Sequence, residues 1–157
     1  MYKRQASDVG AAGMIIPDLP LEETIQFSQI ANEFNLDLIL LIAPTTPMER
    51  MKVISSRTKG FSYLVSVTGV TGERNKLENR VENLIGQLKE ISSNPVAVGF
   101  GISSPEHIIK VRKWGADGVI IGSAFVKRIS DNNDSQIVNE VGKFCSEMRL
   151  AADEIID

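Results

Sequence analysis

The strongest candidates for ligand-binding residues lie in two short, glycine-containing loops. Gly99-Phe100-Gly101 and Gly122-Ser123 each follow a short apolar run, and Gly122-Ser123 opens a short helical pattern. Glycine lets the main chain approach an anion without a side chain in the way, and the first amides of a helix point towards such an anion. The two loops therefore predict a phosphate site. A structural alternative stays beside it, in which the glycines only make tight strand-to-helix turns.

Two further loops carry possible functional residues, each with an alternative left open. The segment 66–74 is long for a strand-to-helix connection and contains Gly69 and Gly72, so it is either a lid that closes over a substrate or a flexible surface loop. Asp18 directly follows an apolar run. Its carboxylate either contacts a substrate or partner, or caps the helix that comes next.

Other reactive residues favour no additional chemistry. No pair of carboxylates stands at the predicted strand ends, and no cluster of His, Cys and Asp has the spacing of a metal site, so we predict no metal. We expect His107 to be solvated on a helix, Cys145 to be a partly buried free thiol and Trp114 to pack on the outside of the fold. A lone cysteine cannot form an internal disulfide, which favours a reducing, cytoplasmic setting.

Composition and charge exclude several classes of protein. The chain has 157 residues, of which 24% are charged, and a formal net charge of -3. These values are typical of a globular domain and argue against a nucleic-acid or anionic-membrane surface, which would favour a basic patch. The longest nearly apolar stretch, 36–44, is about half of the roughly 20 residues that a membrane-spanning helix needs.

Five apolar runs alternate with helical patterns, and these elements must position the loops. The predicted strands start near Gly13, Asp37, Phe61, Pro95 and Gly118. Because the runs are nearly continuous in apolar residues, they indicate parallel strands buried on both faces. Gly10 and Gly115 are predicted to end helices, and Thr46 and Ser103 to begin helices as capping residues.

This alternation suits either an open doubly wound sheet or an eight-stranded (β/α) barrel. A barrel of about 250 residues has roughly 31 residues per unit, so this α/β chain fits about five of the eight units of a TIM barrel. We assign 6–157 to one partial-barrel domain and leave 1–5 out as a non-native or poorly ordered start. Five strands of a closed barrel would expose two sheet edges, so we expect the isolated chain to self-associate.

Four segments, taken in order, carry a specific resemblance. They are IPDLPLEE at 16–23, YLVSVTGVTG at 63–72, VGFGIS at 98–103 and GSA at 122–124. Together they resemble the tryptophan synthase alpha chain family, over essentially everything from Ala6 onward. The resemblance implies an eight-fold barrel and a carbon-carbon lyase of tryptophan biosynthesis. The implied reaction is the retro-aldol cleavage of indole-3-glycerol phosphate to indole and glyceraldehyde 3-phosphate.

The resemblance also implies roles for individual residues. Tyr63 and Phe100 match aromatic residues of the substrate pocket, and Thr71 matches a lid threonine, flanked by Gly69 and Gly72. The positions that match the phosphate-binding residues of the family are Gly72, Gly101, Gly122 and Ser123. The loop of Asp18, Leu19 and Pro20 matches a segment that lies against the beta chain, which forms a hetero-tetramer with the alpha chain in this family.

The resemblance places the catalytic glutamate and aspartate upstream of Met1, so it implies no catalytic residue in this chain. We therefore expect a C-terminal portion that binds phosphate but is inactive when isolated. The resemblance implies no cofactor in this chain, because pyridoxal phosphate belongs to the beta chain in this family. The implied location is cytoplasmic, or the plastid stroma in a photosynthetic eukaryote. The alternatives are another phosphate-binding TIM-barrel enzyme and a non-catalytic, phosphate-binding half-barrel.

Overall fold

The computed structural model describes residues 2–65, 74–99 and 101–154. Strands and helices alternate through these ranges, in agreement with the sequence pattern. In chain order the elements are α1 (Tyr2–Asp8), β1 (Gly13–Ile15), a 3-10 helix (Leu21–Glu23), α2 (Thr24–Glu33), β2 (Asp37–Ile39), β3 (Leu41–Ile42), α3 (Met48–Arg57), β4 (Ser62–Val65), α4 (Arg74–Ile91), β5 (Val96–Gly99), α5 (Pro105–Lys113), β6 (Gly118–Val119), α6 (Ser123–Ser130) and α7 (Asp134–Asp153).

The described strands form a two-stranded and a four-stranded sheet, in which all pairs are parallel and join strands that are neighbours along the chain. β1 pairs with β2, and β3, β4, β5 and β6 pair in that order. β2 and β3 belong to one continuous run that is interrupted only at Leu40. The predicted starts of the five runs agree with the observed strands to within one residue, and the α/β prediction is confirmed.

A buried threonine explains the interruption at Leu40. The Leu40 N–H donates to Thr58 Oγ1 at 2.9 Å instead of to a neighbouring strand. The same hydroxyl donates to the Phe61 carbonyl at 3.2 Å. Thr58 is 4% exposed, so its hydroxyl satisfies main-chain groups that water does not reach.

The hydrophobic core lies between the sheet and the helices. Leu38, Leu40 and Ile42 of the second run are buried, as are Leu64 and Val98 of the next strands. Of the residues that alternate with them, Ile39 is buried, whereas Leu41, Tyr63 and Val65 are only partly buried. The prediction that the strands are buried on both faces therefore holds at 38–40 and is wrong for β4 and β5. The reason is physical, because the interior of a barrel is filled by side chains from all eight strands.

The Asp117 carboxylate stabilises local structure away from the glycine loops. Asp117, just before β6, accepts the Val96 N–H at 2.8 Å and the Lys89 ammonium at 3.0 Å. Partial burial disfavours the charged carboxylate, but these two donors outweigh it and lower the pKa of Asp117. Asp117 thereby connects the start of β6 to the start of β5.

Glycines end two helices as predicted. Gly10 and Gly115 have φ of 82° and 94°, and the following N–H groups, of Ala11 and Ala116, donate back into α1 and α5. The left-handed region is accessible to glycine without a Cβ penalty, which is why it terminates helices.

Predictions for the ends of three other helical segments differ from the structure. Pro47 is the N-cap of α3, and Thr46 Oγ1 instead accepts the Ala43 N–H at 3.0 Å. The N-cap of α5 is Ser104, one residue after the predicted Ser103. Residues 2–5, which we left out of the fold, lie within α1.

Candidate phosphate-binding site

The two glycine-containing loops follow adjacent strands and open towards the same edge of the sheet. β5 and β6 are parallel, with Ala97 opposite Gly118 and Val98 opposite Val119. Gly101 comes two residues after the end of β5, and Gly122 comes three residues after the end of β6. The structure therefore places two of the predicted phosphate-binding positions, 21 residues apart in sequence, in loops at the same edge of the sheet.

Gly122 and Ser123 form the start of α6. Gly122 is the N-cap of α6, and its carbonyl accepts the N–H groups of Phe125 and Val126 at 2.9 and 3.2 Å. The N–H groups of Ser123 and Ala124 precede these bonds and have no acceptor within the helix. Gly122 and Ser123 are exposed, and a Cβ at Gly122 would meet no atom within 4 Å. An anion can thus approach two main-chain donors and one hydroxyl, favoured by the helix dipole.

Gly101 begins the loop that leads to α5. It is exposed and has φ of 44°, a left-handed conformation that favours glycine. Further along, the Ser103 N–H donates to His107 Nδ1 at 3.3 Å. His107 is half-buried, so it supports the loop rather than being fully solvated. Glu106 is an acidic residue in the first turn of α5. Hydrogen bonds from the Ser104 side chain and from the main chain of Glu106 itself lower the pKa of this carboxyl group.

Tyr63 lies on the partly buried face of the sheet and extends across β5. A Cβ built on Gly99 would stand 2.5 Å from Tyr63 Cε2 and 2.6 Å from its Oη. Gly99 therefore has a role that sequence reasoning missed, since we considered it for its approach to an anion or for a tight turn. The sequence did offer a signal, because a glycine at the end of a buried strand often marks a place where a neighbouring group approaches the main chain closely.

The loop of Asp18, Leu19 and Pro20 lies at a different place on the same edge. Asp18 is exposed, and Pro20, without a side-chain cap, is the N-cap of the 3-10 helix. The alternative that Asp18 caps the next helix is therefore wrong. A cavity of about 160 Å³ lies beneath this loop, lined by residues that include Leu19, Leu41, Thr46 and Arg50. The residues that line this cavity do not include Gly101, Gly122 or Ser123.

Several predicted site residues lie outside the described residues. These are Phe100 and the three lid positions Gly69, Thr71 and Gly72. Within the described ranges, no group of three or more His, Cys, Asp or Glu side chains could hold a metal ion. No helix in the same ranges is long and apolar enough to cross a membrane.

Similarity to proteins of known family is extensive. The model of the family described as "Tryptophan synthase alpha chain" matches residues 1–153. An alpha chain from Prochlorococcus marinus subsp. pastoris is 74% identical over 149 residues, which are 95% of this chain and 53% of the relative. One from Trichodesmium erythraeum is 46% identical over 150 residues, 96% of this chain and 57% of the relative. The chain thus spans about half the length of these curated relatives.

Solved structures agree with this similarity. A mutant tryptophan synthase alpha-subunit from the hyperthermophile Pyrococcus furiosus is 38% identical with a TM-score of 0.83, over 94% of this chain and 59% of that one. A chain of a tryptophan synthase complex from the same organism is 36% identical with a TM-score of 0.81, over 94% of this chain and 58% of that one. At this identity and coverage, the described elements correspond to part of a TIM barrel, as the sequence predicted.

Proposed function

Since this chain belongs to the tryptophan synthase alpha chain family, we propose that the complete protein carrying these residues cleaves indole-3-glycerol phosphate to indole and glyceraldehyde 3-phosphate. The family has a role in tryptophan biosynthesis and is of the lyase type. The substrate, the products and the partner of this particular protein are part of the proposal, because the chain spans about half of its relatives.

One observation carries the proposal: the loops that contain Gly101 and Gly122 leave the carboxyl ends of β5 and β6, which are adjacent and parallel. The exposed Gly122–Ser123 start of α6 adds main-chain N–H donors and a hydroxyl. Each hydrogen bond to a charged group contributes about 1.5–3 kcal/mol, so several such donors can hold a phosphate without an arginine. Gly72 completes the proposed phosphate-binding set.

The remaining roles follow from the family. Tyr63, together with Phe100, is proposed to contact the indole part of the substrate, and Thr71 is proposed to act in a lid with Gly69 and Gly72. The phosphate loops supply N–H and hydroxyl donors, which bind an anion but do not transfer protons to and from a substrate. We therefore propose that the acid and base are carboxylates outside this chain.

The exposed Asp18 loop is the proposed contact with a tryptophan synthase beta chain. We propose no cofactor for this chain, with pyridoxal phosphate held by the beta chain. A cytoplasmic location is proposed from the bacterial relatives.

The protein expressed from its complete coding sequence tests the proposal. We expect it to release indole from indole-3-glycerol phosphate, faster with a tryptophan synthase beta chain present, and we expect the 157-residue chain alone to release none. Indole release by the 157-residue chain would contradict the absence of catalytic carboxylates. Phosphate binding without any turnover by the complete protein would favour the non-catalytic alternative.

A charge variant tests the phosphate site itself. Ser123→Asp places a carboxylate at the start of α6, where the helix dipole tolerates it but a phosphate is repelled. We expect the affinity for inorganic phosphate to fall by about tenfold or more. Ser130→Asp, at the exposed opposite end of the same helix, is the matched control and should leave the affinity unchanged. Equal affinities in both variants would place the phosphate elsewhere.

A further inference from the structure

We propose that α7 sets the position of the two phosphate loops relative to each other, so that contacts of α5 and α6 with α7, distant from the ligand, determine phosphate affinity. This inference rests on the proposed function, since it concerns the same site. The sheet connects the two loops through only two registered pairs, Ala97 with Gly118 and Val98 with Val119. The helices that follow the loops, α5 and α6, both pack against α7.

On one side, α6 is held against α7 through the ring of Phe144. Phe144 is 2% exposed, and Phe125 meets its ring edge-on with the centroids 4.8 Å apart. The Arg128 guanidinium lies over the same ring at 3.5 Å from its centroid. An aromatic pair and a cation above the same ring both favour specific geometries. Together they fix α6, whose first residue is Ser123, at one place along α7.

On the other side, α5 is held at the C-terminal end of α7. Arg112 Nη1 donates to the carbonyl of Ala152 and, at 2.6 Å, to that of Glu154. The last carbonyls of a helix receive no N–H donor from the helix itself. A guanidinium at this end therefore satisfies carbonyls that would otherwise need water. α5 begins four residues after Gly101. Arg112 therefore connects the loop of Gly101 to the helix that also positions Ser123.

The two contacts make α7 a bridge between loops that the sheet joins only briefly. If either contact is lost, the corresponding helix can shift along α7, and the amides at Gly101 and at Ser123 no longer converge on the same phosphate. Phe144 and Arg112 are positioning residues in this account, because neither touches the ligand.

The experiment compares Phe144→Leu and Arg112→Met in the protein expressed from its complete coding sequence. Inorganic phosphate is titrated, and the amide signals of Gly101, Gly122 and Ser123 are followed by NMR. Both substitutions preserve apolar bulk and should permit folding. We expect the affinity for phosphate to fall by about three- to tenfold in each variant, as the loss of one oriented contact allows. In Arg112→Met, the change that phosphate causes in the Gly101 amide signal should decrease more than the change in the Ser123 signal.

Two controls separate positioning from general destabilisation. Met51→Ala removes a fully buried side chain from α3, which packs against α2, α4 and β3, and should lower stability without changing phosphate affinity. Arg112→Lys retains the charge and should restore part of the affinity. Unchanged phosphate affinity in Phe144→Leu and Arg112→Met would overturn the inference. If the unaltered protein binds no phosphate, the proposed site fails and this inference fails with it.

Discussion

At the scale of single residues, Gly99 and Tyr63 form a tight contact between neighbouring strands. The ring of Tyr63 occupies the space where any larger residue at position 99 would place its Cβ. Gly99 lies two residues before Gly101, and Tyr63 is proposed to line the substrate pocket. The same glycine therefore leaves room for the ring of Tyr63, the proposed pocket residue, and ends the strand before the proposed phosphate loop.

This contact predicts the effect of Gly99→Ala. The added methyl group would approach Tyr63 Cε2 to 2.5 Å, so either the ring or the strand must move. We expect a loss of about 1–3 kcal/mol in the free energy of unfolding, typical of overpacking. Urea denaturation of the complete protein measures it.

A second substitution shows whether Tyr63 is the cause. Tyr63→Ala should make Gly99→Ala nearly harmless, whereas Tyr63→Phe should not, since the ring carbons remain. Strictly additive effects in the Gly99→Ala, Tyr63→Ala double mutant would refute the contact.

At the scale of elements, buried hydroxyls differ in what they contribute. Thr58 connects the interrupted run of β2 and β3 to the segment before β4, because its Oγ1 accepts the Leu40 N–H and donates to the Phe61 carbonyl. Ser62, at the start of β4, is fully buried, yet its Oγ has no hydrogen-bond partner among the described residues. The two hydroxyls are similarly buried, but their removal should therefore have different effects on the free energy of unfolding.

Thr58→Val and Ser62→Ala test this difference. Thr58→Val keeps the shape of the side chain but leaves the buried Leu40 N–H unpaired, which should cost about 1–3 kcal/mol of unfolding free energy. Ser62→Ala removes an unpaired hydroxyl and should leave stability unchanged or slightly higher. Denaturant midpoints of the two variants, measured side by side, decide the matter. An equal loss in both would show that the Thr58 hydrogen bonds contribute nothing specific.

At the scale of the whole molecule, the described strands form an incomplete barrel. β1 and β6 each pair on one side only within the described ranges. Ile15, in the edge strand β1, is 41% exposed, and Tyr63 and Val65 in β4 are partly exposed. An apolar strand with unpaired main-chain groups is a template for association with another chain.

The 157-residue chain, purified alone, should consequently self-associate. Light scattering coupled to size-exclusion chromatography should give a mass above that of one chain, and Ile15→Lys should lower it by placing a charge on the edge strand. Val138→Lys, at a position of α7 that is 83% exposed, is the matched control and should leave the mass unchanged. A monomer with a cooperative thermal transition would contradict this prediction.

The sequence by itself determined the features that depend on neighbouring residues. Apolar runs predicted the strands, Gly10 and Gly115 predicted helix ends, and Gly122-Ser123 predicted the exposed start of a helix. Each follows from local conformational preference or burial over a few residues. The family resemblance likewise depends on short segments that are visible in the sequence.

Only the tertiary structure decided what depends on contacts between distant segments. Cys145 is exposed rather than partly buried, because Phe144 and Met148 occupy the buried side of α7. Arg112 meets the carbonyl of Ala152, 40 residues away, and Tyr63 meets Gly99 across two strands. No periodicity encodes such pairs, because side-chain packing selects them only after the sheet and the helices have come together.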